Sequence, residues 1–264
     1  MIEKCCLAVA GSDSGGNAGV QADLRAFHSF GLHGCTVLSA LTAQNPGGVS
    51  AIMPVGADFV AAQLDAVLGV YAIAAAKTGM LSDPASIEVI ADRLGRHPEM
   101  AKVVDPVMVA TSGDRLVSDA TVEAVKKLLL PLATVVTPNL PEAEVLAGVK
   151  SEGRMASAGR AAELAKRIFD LYGANVLVKG GHGGGDSASD VLCTAAGVRV
   201  FSLPWVADPV STHGTGCTLA SAIAASLALG STLEDAVAAA KEHVHKAVEK
   251  SYFVGEGCGV LGFV

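Results

Sequence analysis

The chain has 264 residues, of which 51% are apolar and 17% charged, and its net charge at pH 7 is −7. That length supplies ample core for one large domain or two small ones. A negative balance with no basic run excludes nucleic acid as the main partner, and no apolar run reaches the roughly 18 residues that a membrane span requires.

The opening MIEKCCLAVAGSDSGG holds a short apolar run and then turns polar. It is too short for a secretory signal, so the expected compartment is the cytoplasm. The six cysteines, Cys5, Cys6, Cys35, Cys193, Cys217 and Cys258, contain no C-x-x-C pair. That spacing argues against a zinc cage, and a chain of this size needs no disulfide framework. Cys5 and Cys35 lie in apolar runs and read as small core residues.

In chain order, β-type runs are predicted at Cys6–Ala10 and Cys35–Leu41, followed by helical spacing at Phe59–Leu68. A run at Ala72–Ala76 precedes a helix at Ile87–Leu94, and Val103–Val104 precedes one at Val122–Leu130. Thr134–Val136, a helix at Ala161–Leu171 and Val176–Val178 continue the pattern. Alternation of this kind means βαβ units: an α/β fold with a mostly parallel central sheet and helices on both faces. The runs do not alternate polar with apolar, as expected of strands buried on both sides. Beyond Gly185, Ser189–Thr194 and Val198–Leu203 read as an antiparallel pair turning at Ala195–Gly197. Two long helices, about 215–229 and 232–251, close the chain. With neither linker nor internal repeat, residues 1–264 read as one domain. The tail VGEGCGVLGFV is expected to be docked or frayed.

Polar or glycine-rich loops follow each predicted strand: AGSDSGG, TAQN, KTGM, DPVM, TPNLPEAE and KGGHGGG. In open α/β sheets the ligand crevice lies beyond the carboxyl ends of the strands, so these loops face one site. THGTGCT adds a reactive thiol, Cys217, at the glycine-rich mouth of a helix, where backbone N–H groups gather and anions bind. Several other chemistries are absent. There is no Walker A motif and no G-x-S-x-G elbow. His243 and His245 stand two apart on a helix, the wrong spacing for metal ligands, and read as surface residues. GHGGGD at 181–186 is as compatible with a mobile loop as with a cofactor loop. A cysteine hydrolase built on Cys217 and His213 leaves the DPV and NLPE loops unexplained.

Taken together, GSDSGGNAGVQADL, LTAQN, KTGML, DPVMVATSGDRL, TPNLPEAE, VLVKGGH and HGTGCT resemble the ribokinase-like superfamily. Within it they are similar to the hydroxymethylpyrimidine/phosphomethylpyrimidine kinases of thiamine biosynthesis. The resemblance runs in order over about residues 5–250. It implies a three-layer sandwich that phosphorylates, with ATP and Mg²⁺, the hydroxymethyl group of a small heteroaromatic ring and then the resulting monophosphate. It also implies a homodimer, a property with no heptad seam to support it in the sequence.

The resemblance assigns roles that elementary chemistry supports. Gly214, Thr215 and Gly216 would form a nest of N–H groups stabilising the transferring phosphoryl group. Cys217 would be the base that takes the proton of the substrate hydroxyl, and the helix start is expected to favour its thiolate. Asn139 and Glu142 would organise Mg²⁺ through water, although Glu142 also suits a plain helix-opening acid. Asp105 would lie beside the same metal and phosphates, and is otherwise a turn residue. Lys179 would reach the ATP phosphates, and is otherwise a solvated strand-end lysine. Lys241 would lie near the nucleotide. The ring pocket maps onto Gly11, Asp23, Gln44, Met80 and Val107, with Asp23 and Gln44 matching a polar ring edge and Met80 and Val107 its faces. Met80 suits ordinary core equally well. Asn17 and Pro46 depart from the family pattern and bear on substrate range. The rival substrate is a vitamin B6 form, since pyridoxal, pyridoxine and pyridoxamine also carry a hydroxymethyl group on a six-membered nitrogen ring. A non-catalytic binding relative is disfavoured by the intact loops.

Overall fold

The structure, a computed structural model, describes residues 4–109, 116–149, 157–180 and 187–263. Its centre is a nine-stranded sheet with the order β3-β2-β1-β4-β5-β6-β7-β8-β9. Strands β1 (Cys5–Asp13), β2 (His33–Asn45), β4 (Ile73–Thr78), β5 (Ala101–Val104), β6 (Val135–Val136) and β7 (Asn175–Val178) run parallel. Antiparallel strands flank them: β3 (Gly48–Pro54) on one side, β8 (Ser187–Thr194) and β9 (Gly197–Pro204) on the other.

Period-two geometry sends alternate side chains to opposite faces, so each central strand needs apolar residues at every position. On β1, Leu7 and Val9 join one apolar layer while Cys6, Ala8 and Ala10 join the other. The first layer packs under α2 (Ala57–Leu68), α3 (Pro84–Gly95), α4 (Asp119–Ala124), α5 (Leu140–Ala147) and α6 (Ala158–Tyr172). The second packs under α1 (Gly19–Ser29), α7 (Thr215–Ala228) and α8 (Leu233–Glu249). The expected sandwich is therefore present. The chain leaves β1 toward β2 on one side and reaches β4 on the other, which opens a crevice at the carboxyl ends of β1 and β4.

Three local expectations are corrected and one unforeseen helix start is added. TAQN is not a loop, because β2 continues through Asn45 and turns back at Pro46–Gly47 into β3. The single helix expected at Val122–Leu130 is α4 followed by a π turn at Val125–Leu129 and a 3₁₀ turn at Leu130–Leu132. Pro131 accounts for the break, since its ring removes an N–H and clashes with the preceding turn. GSDSGGNAGVQADL contains the whole start of α1. His243 and His245 are half-buried rather than surface residues, His243 lying between the Phe30 and Phe263 rings. The tail is docked: β10 (Tyr252–Gly255) and β11 (Cys258–Val260) form a hairpin, and the Gly262 N–H donates to the Ala247 carbonyl at 3.0 Å. The GHGGGD stretch and residues 110–115 of the DPVMVATSGDRL motif lie outside the described residues.

Candidate active site

A cavity of about 680 Å³ opens at the carboxyl edge of the sheet. Of the residues given catalytic, binding or metal roles from the sequence, all but Asp23 line it. Gly11, Gln44, Met80 and Val107 come from the β1, β2, β4 and β5 side. Asn139, Glu142, Lys179 and Lys241 come from the β6, β7 and α8 side. Gly214, Thr215, Gly216 and Cys217 stand where the two sides meet.

The meeting point is built by two helix starts. Gly214 is the N-cap of α7 with φ 87°, and no side chain caps this end. A Cβ there would lie 1.9 Å from the Asn17 carbonyl oxygen, so only glycine fits. Gly19, with φ 57°, opens α1 equally tightly: its Cβ would lie 2.3 Å from the Gly11 carbonyl oxygen. The Gly19 N–H at the start of α1 favours the charged form of Cys217, which stands in the first turn of α7. The preceding loop is fixed by Asp13, whose carboxylate accepts the N–H groups of Gly15, Asn17 and Ala18 at 2.8 to 2.9 Å. Burial opposes its charge, yet His213 and these N–H groups hold Asp13 below the usual carboxylate range. Asn17 is buried inside this loop.

Cys217 meets the cavity on one side and packed protein on the others. The expected thiolate preference is corrected for the ligand-free protein. Burial pushes the thiol above its ordinary value, with Asp23 and Asp105 adding to the rise, while Lys77 and the Gly19 N–H oppose it.

On the other side of Gly216, the Lys179 ammonium lies within 3.4 Å of where a Cβ would sit. Lys179 pairs with Asp105 at 2.7 Å, and Thr137 donates to the same carboxylate oxygen at 3.0 Å. Asn139 caps α5 and Glu142 completes a capping box, each side chain taking the other's backbone N–H at 2.8 Å. The helix-opening role of Glu142 is thus present in the geometry. Burial pushes its carboxyl from 4.5 up to about 7, against the pull of Lys179 and with Asp105 adding to the rise. Asp105 and Glu142 are the carboxylates that could serve a divalent cation at this edge, and they fit one that keeps its waters. Among the described residues no cluster of three His, Cys, Asp or Glu side chains encloses an ion. Two hard oxygen donors at the edge of this cavity suit Mg²⁺.

Asp23 is corrected. It is fully buried beneath the cavity, paired with Lys77 at 2.8 Å, and touches no ligand surface. Lys77, within KTGML, has no role that the motif discloses; a lysine in an apolar strand, IAAAKT, is the signal the sequence offers. Asp190 was also missed. It holds Lys241 at 2.7 Å, with Trp205 and Val244 completing the wall beyond.

A model described as phosphomethylpyrimidine kinase matches residues 13–262. The chain belongs to the phosphomethylpyrimidine kinase family. It is a kinase, a phosphotransferase with a small-molecule substrate. It is 48% identical, over 96% of its length and 94% of the relative's, to a hydroxymethylpyrimidine/phosphomethylpyrimidine kinase of Rhizobium meliloti. The fold is ribokinase-like. It superposes with a TM-score of 0.89 on an ADP complex of Bacillus subtilis pyridoxal kinase, at 34% identity over 99% of this chain and 97% of that one. With a phosphomethylpyrimidine kinase from Clostridium difficile, a member of the same family, the TM-score is 0.79 at 36% identity, covering 94% of this chain and all 100% of that one. Within the described residues no helix is long and apolar enough to cross a membrane.

Proposed function

We infer that the chain transfers the γ-phosphoryl group of ATP to the hydroxymethyl group of 4-amino-5-hydroxymethyl-2-methylpyrimidine, and then to the monophosphate so formed, in thiamine biosynthesis. The observation that carries this reading is the position of Cys217, on the boundary between the acceptor wall and the phosphate wall of one cavity. The acceptor ring lies between Met80 and Val107, with Gln44 at its polar edge. The hydroxymethyl group then points toward Cys217 and the Gly214–Gly216 nest. Cys217 takes the hydroxyl proton as the oxygen attacks the γ-phosphorus. A new P–O bond forms, the bond to the β-phosphate oxygen breaks, and ADP leaves. The α7 start and Lys179 meet the charge that builds on the transferring group. Asp105 and Glu142 would hold Mg²⁺, which would supply charge neutralisation for the nucleotide phosphates. Lys241 and Asn139 line the nucleotide side. The working state is a homodimer in the cytoplasm.

Pyridoxal is the competing acceptor, favoured by the TM-score of 0.89 against a pyridoxal kinase. Steady-state phosphorylation of the two acceptors, side by side at saturating ATP, decides between them. The expected kcat/KM is higher for the pyrimidine, and a higher value for pyridoxal overturns this reading.

A further inference from the structure

A thiol is a weak base to build into a kinase. An aspartate in the same place ionises unaided at pH 7, whereas a thiol of ordinary pKa is only a few per cent thiolate. Burial makes matters worse for Cys217. A cation must therefore face it if it is to accept a proton.

Lys77 is placed to be that cation. It shares its strand face with Ala75, whose side chain packs among α7 residues, so Lys77 also points into the α1–α7 layer. Its ammonium has climbed to the carboxyl end of β4, where a Cβ on Gly79 would lie 2.8 Å from it. Asp23 on α1 holds it at 2.8 Å with both side chains 0% exposed. Ser221 on α7 donates to the same Asp23 oxygen at 2.7 Å. Ser221 stands one helical turn after Cys217, on the same face of α7. The chain of contacts therefore returns to the helix that carries the thiol. Such a pair is costly to bury and contributes little to stability by itself, so its retention directly under a reactive group asks for a use.

We propose that Lys77 is a positioning residue for the proton transfer: anchored by Asp23 and Ser221, its ammonium offsets the burial of Cys217 and eases its passage to the thiolate that accepts the hydroxyl proton. The inference rests on the kinase reading given above. The charged and polar groups around Cys217 pull in both directions. Lys77 from β4 and the Gly19 N–H from α1 favour the thiolate; Asp23 from α1 and Asp105 beyond β5 oppose it. Lys179, across Gly216, is committed to Asp105. When the substrate O–H breaks and the S–H bond forms, the thiolate charge passes to the attacking oxygen and so to the transferred phosphate. Lys77 and Asp23 are left as a neutral pair. Asp23 thereby keeps Lys77 charged and fixed without meeting substrate.

The test reads the thiol directly. Alkylation of Cys217 by iodoacetamide is followed against pH by mass spectrometry of its peptide, which separates it from half-buried Cys258. The full-length wild type is compared with Lys77→Met/Asp23→Leu, which removes both charges and leaves neither unpaired. Lys77→Gln/Asp23→Asn is run alongside, so that a polar replacement is available if the apolar one fails to fold. Thermal melting and nucleotide affinity report the fold. In the folded variant the alkylation midpoint is expected to rise by about one pH unit or more. The acid limb of the kcat profile is expected to follow it, with kcat at pH 7 falling about tenfold and KM for ATP unchanged. An unmoved midpoint overturns the proposal, whether or not kcat falls, because a purely structural pair predicts that result. Alkylation needs no substrate. A shifted midpoint in an enzyme that prefers another acceptor therefore sinks the substrate reading and leaves this one standing.

Discussion

Two helices begin at the same cavity and begin differently. The α5 start is closed: Asn139 and Glu142 satisfy each other's backbone N–H groups, and Pro141 occupies its first turn. The α7 start is open: Gly214 caps it in a left-handed conformation with no side-chain hydrogen bond to its first turn. A helix end with its N–H groups already bonded has little to offer an anion, whereas an uncapped one is a ready phosphate site. The contrast separates two tasks. The α5 start holds carboxylates in place, and the α7 start is left free for the phosphoryl group in the proposed reaction. The residues beside each follow suit, with Asp105 and Glu142 at the first and Cys217 and Lys179 at the second.

The most damaging way to break this division is at the open end. Cys217→Ser leaves the nest intact and removes the proposed base. Its kcat is expected to fall at least about a hundredfold, with ATP affinity kept, in a coupled assay and a binding titration. Gly214→Ala attacks the nest itself. The added Cβ collides with the Asn17 carbonyl, so nucleotide affinity and melting temperature are expected to fall together.

The closed end offers a pH test. Because the Glu142 carboxyl is raised from 4.5 to about 7, the folded protein keeps a proton there that the unfolded chain releases. Stability from this group is present below pH 4.5 and is lost as pH rises toward 7. The melting temperature of wild type relative to Glu142→Gln is expected to fall across that window in metal-free buffer. A difference that stays flat overturns the assigned protonation. A smaller effect is expected from Asn139→Ala, which removes one side of the capping box and costs about 1 kcal/mol, read by denaturant unfolding.

Much of this architecture is legible in the sequence because buried parallel strands write themselves as unbroken apolar runs. Leu7, Val9 and their neighbours on β1 are apolar on both faces for that reason. The sheet edge is not legible in this way. Strand β3 leaves Ile52 and Met53 exposed, and Thr42 and Gln44 on β2 face the cavity, so neither segment carries a burial pattern. The glycine-rich loops disclosed the site because phosphate chemistry demands close backbone approach. Asp23 was misplaced because a carboxylate beside acceptor-loop residues reads as a ligand. Only the fold shows that it points at a lysine three strands of sequence away. Lys77 was passed over because lysine is almost never fully buried unless it is paired, and its partner lies 54 residues earlier.

The wedged glycines carry one last consequence. Gly214 abuts the Asn17 carbonyl, and Gly19 abuts that of Gly11. The acceptor loop and the α7 mouth thus occupy each other's clearance, joining segments nearly two hundred residues apart. Neither glycine is free to drift in evolution unless the opposing backbone retreats with it. Sequence changes in the 11–19 loop and in the 212–217 loop should then be inherited in concert, and a laboratory graft of one loop from a distant homologue should succeed only when the other travels with it.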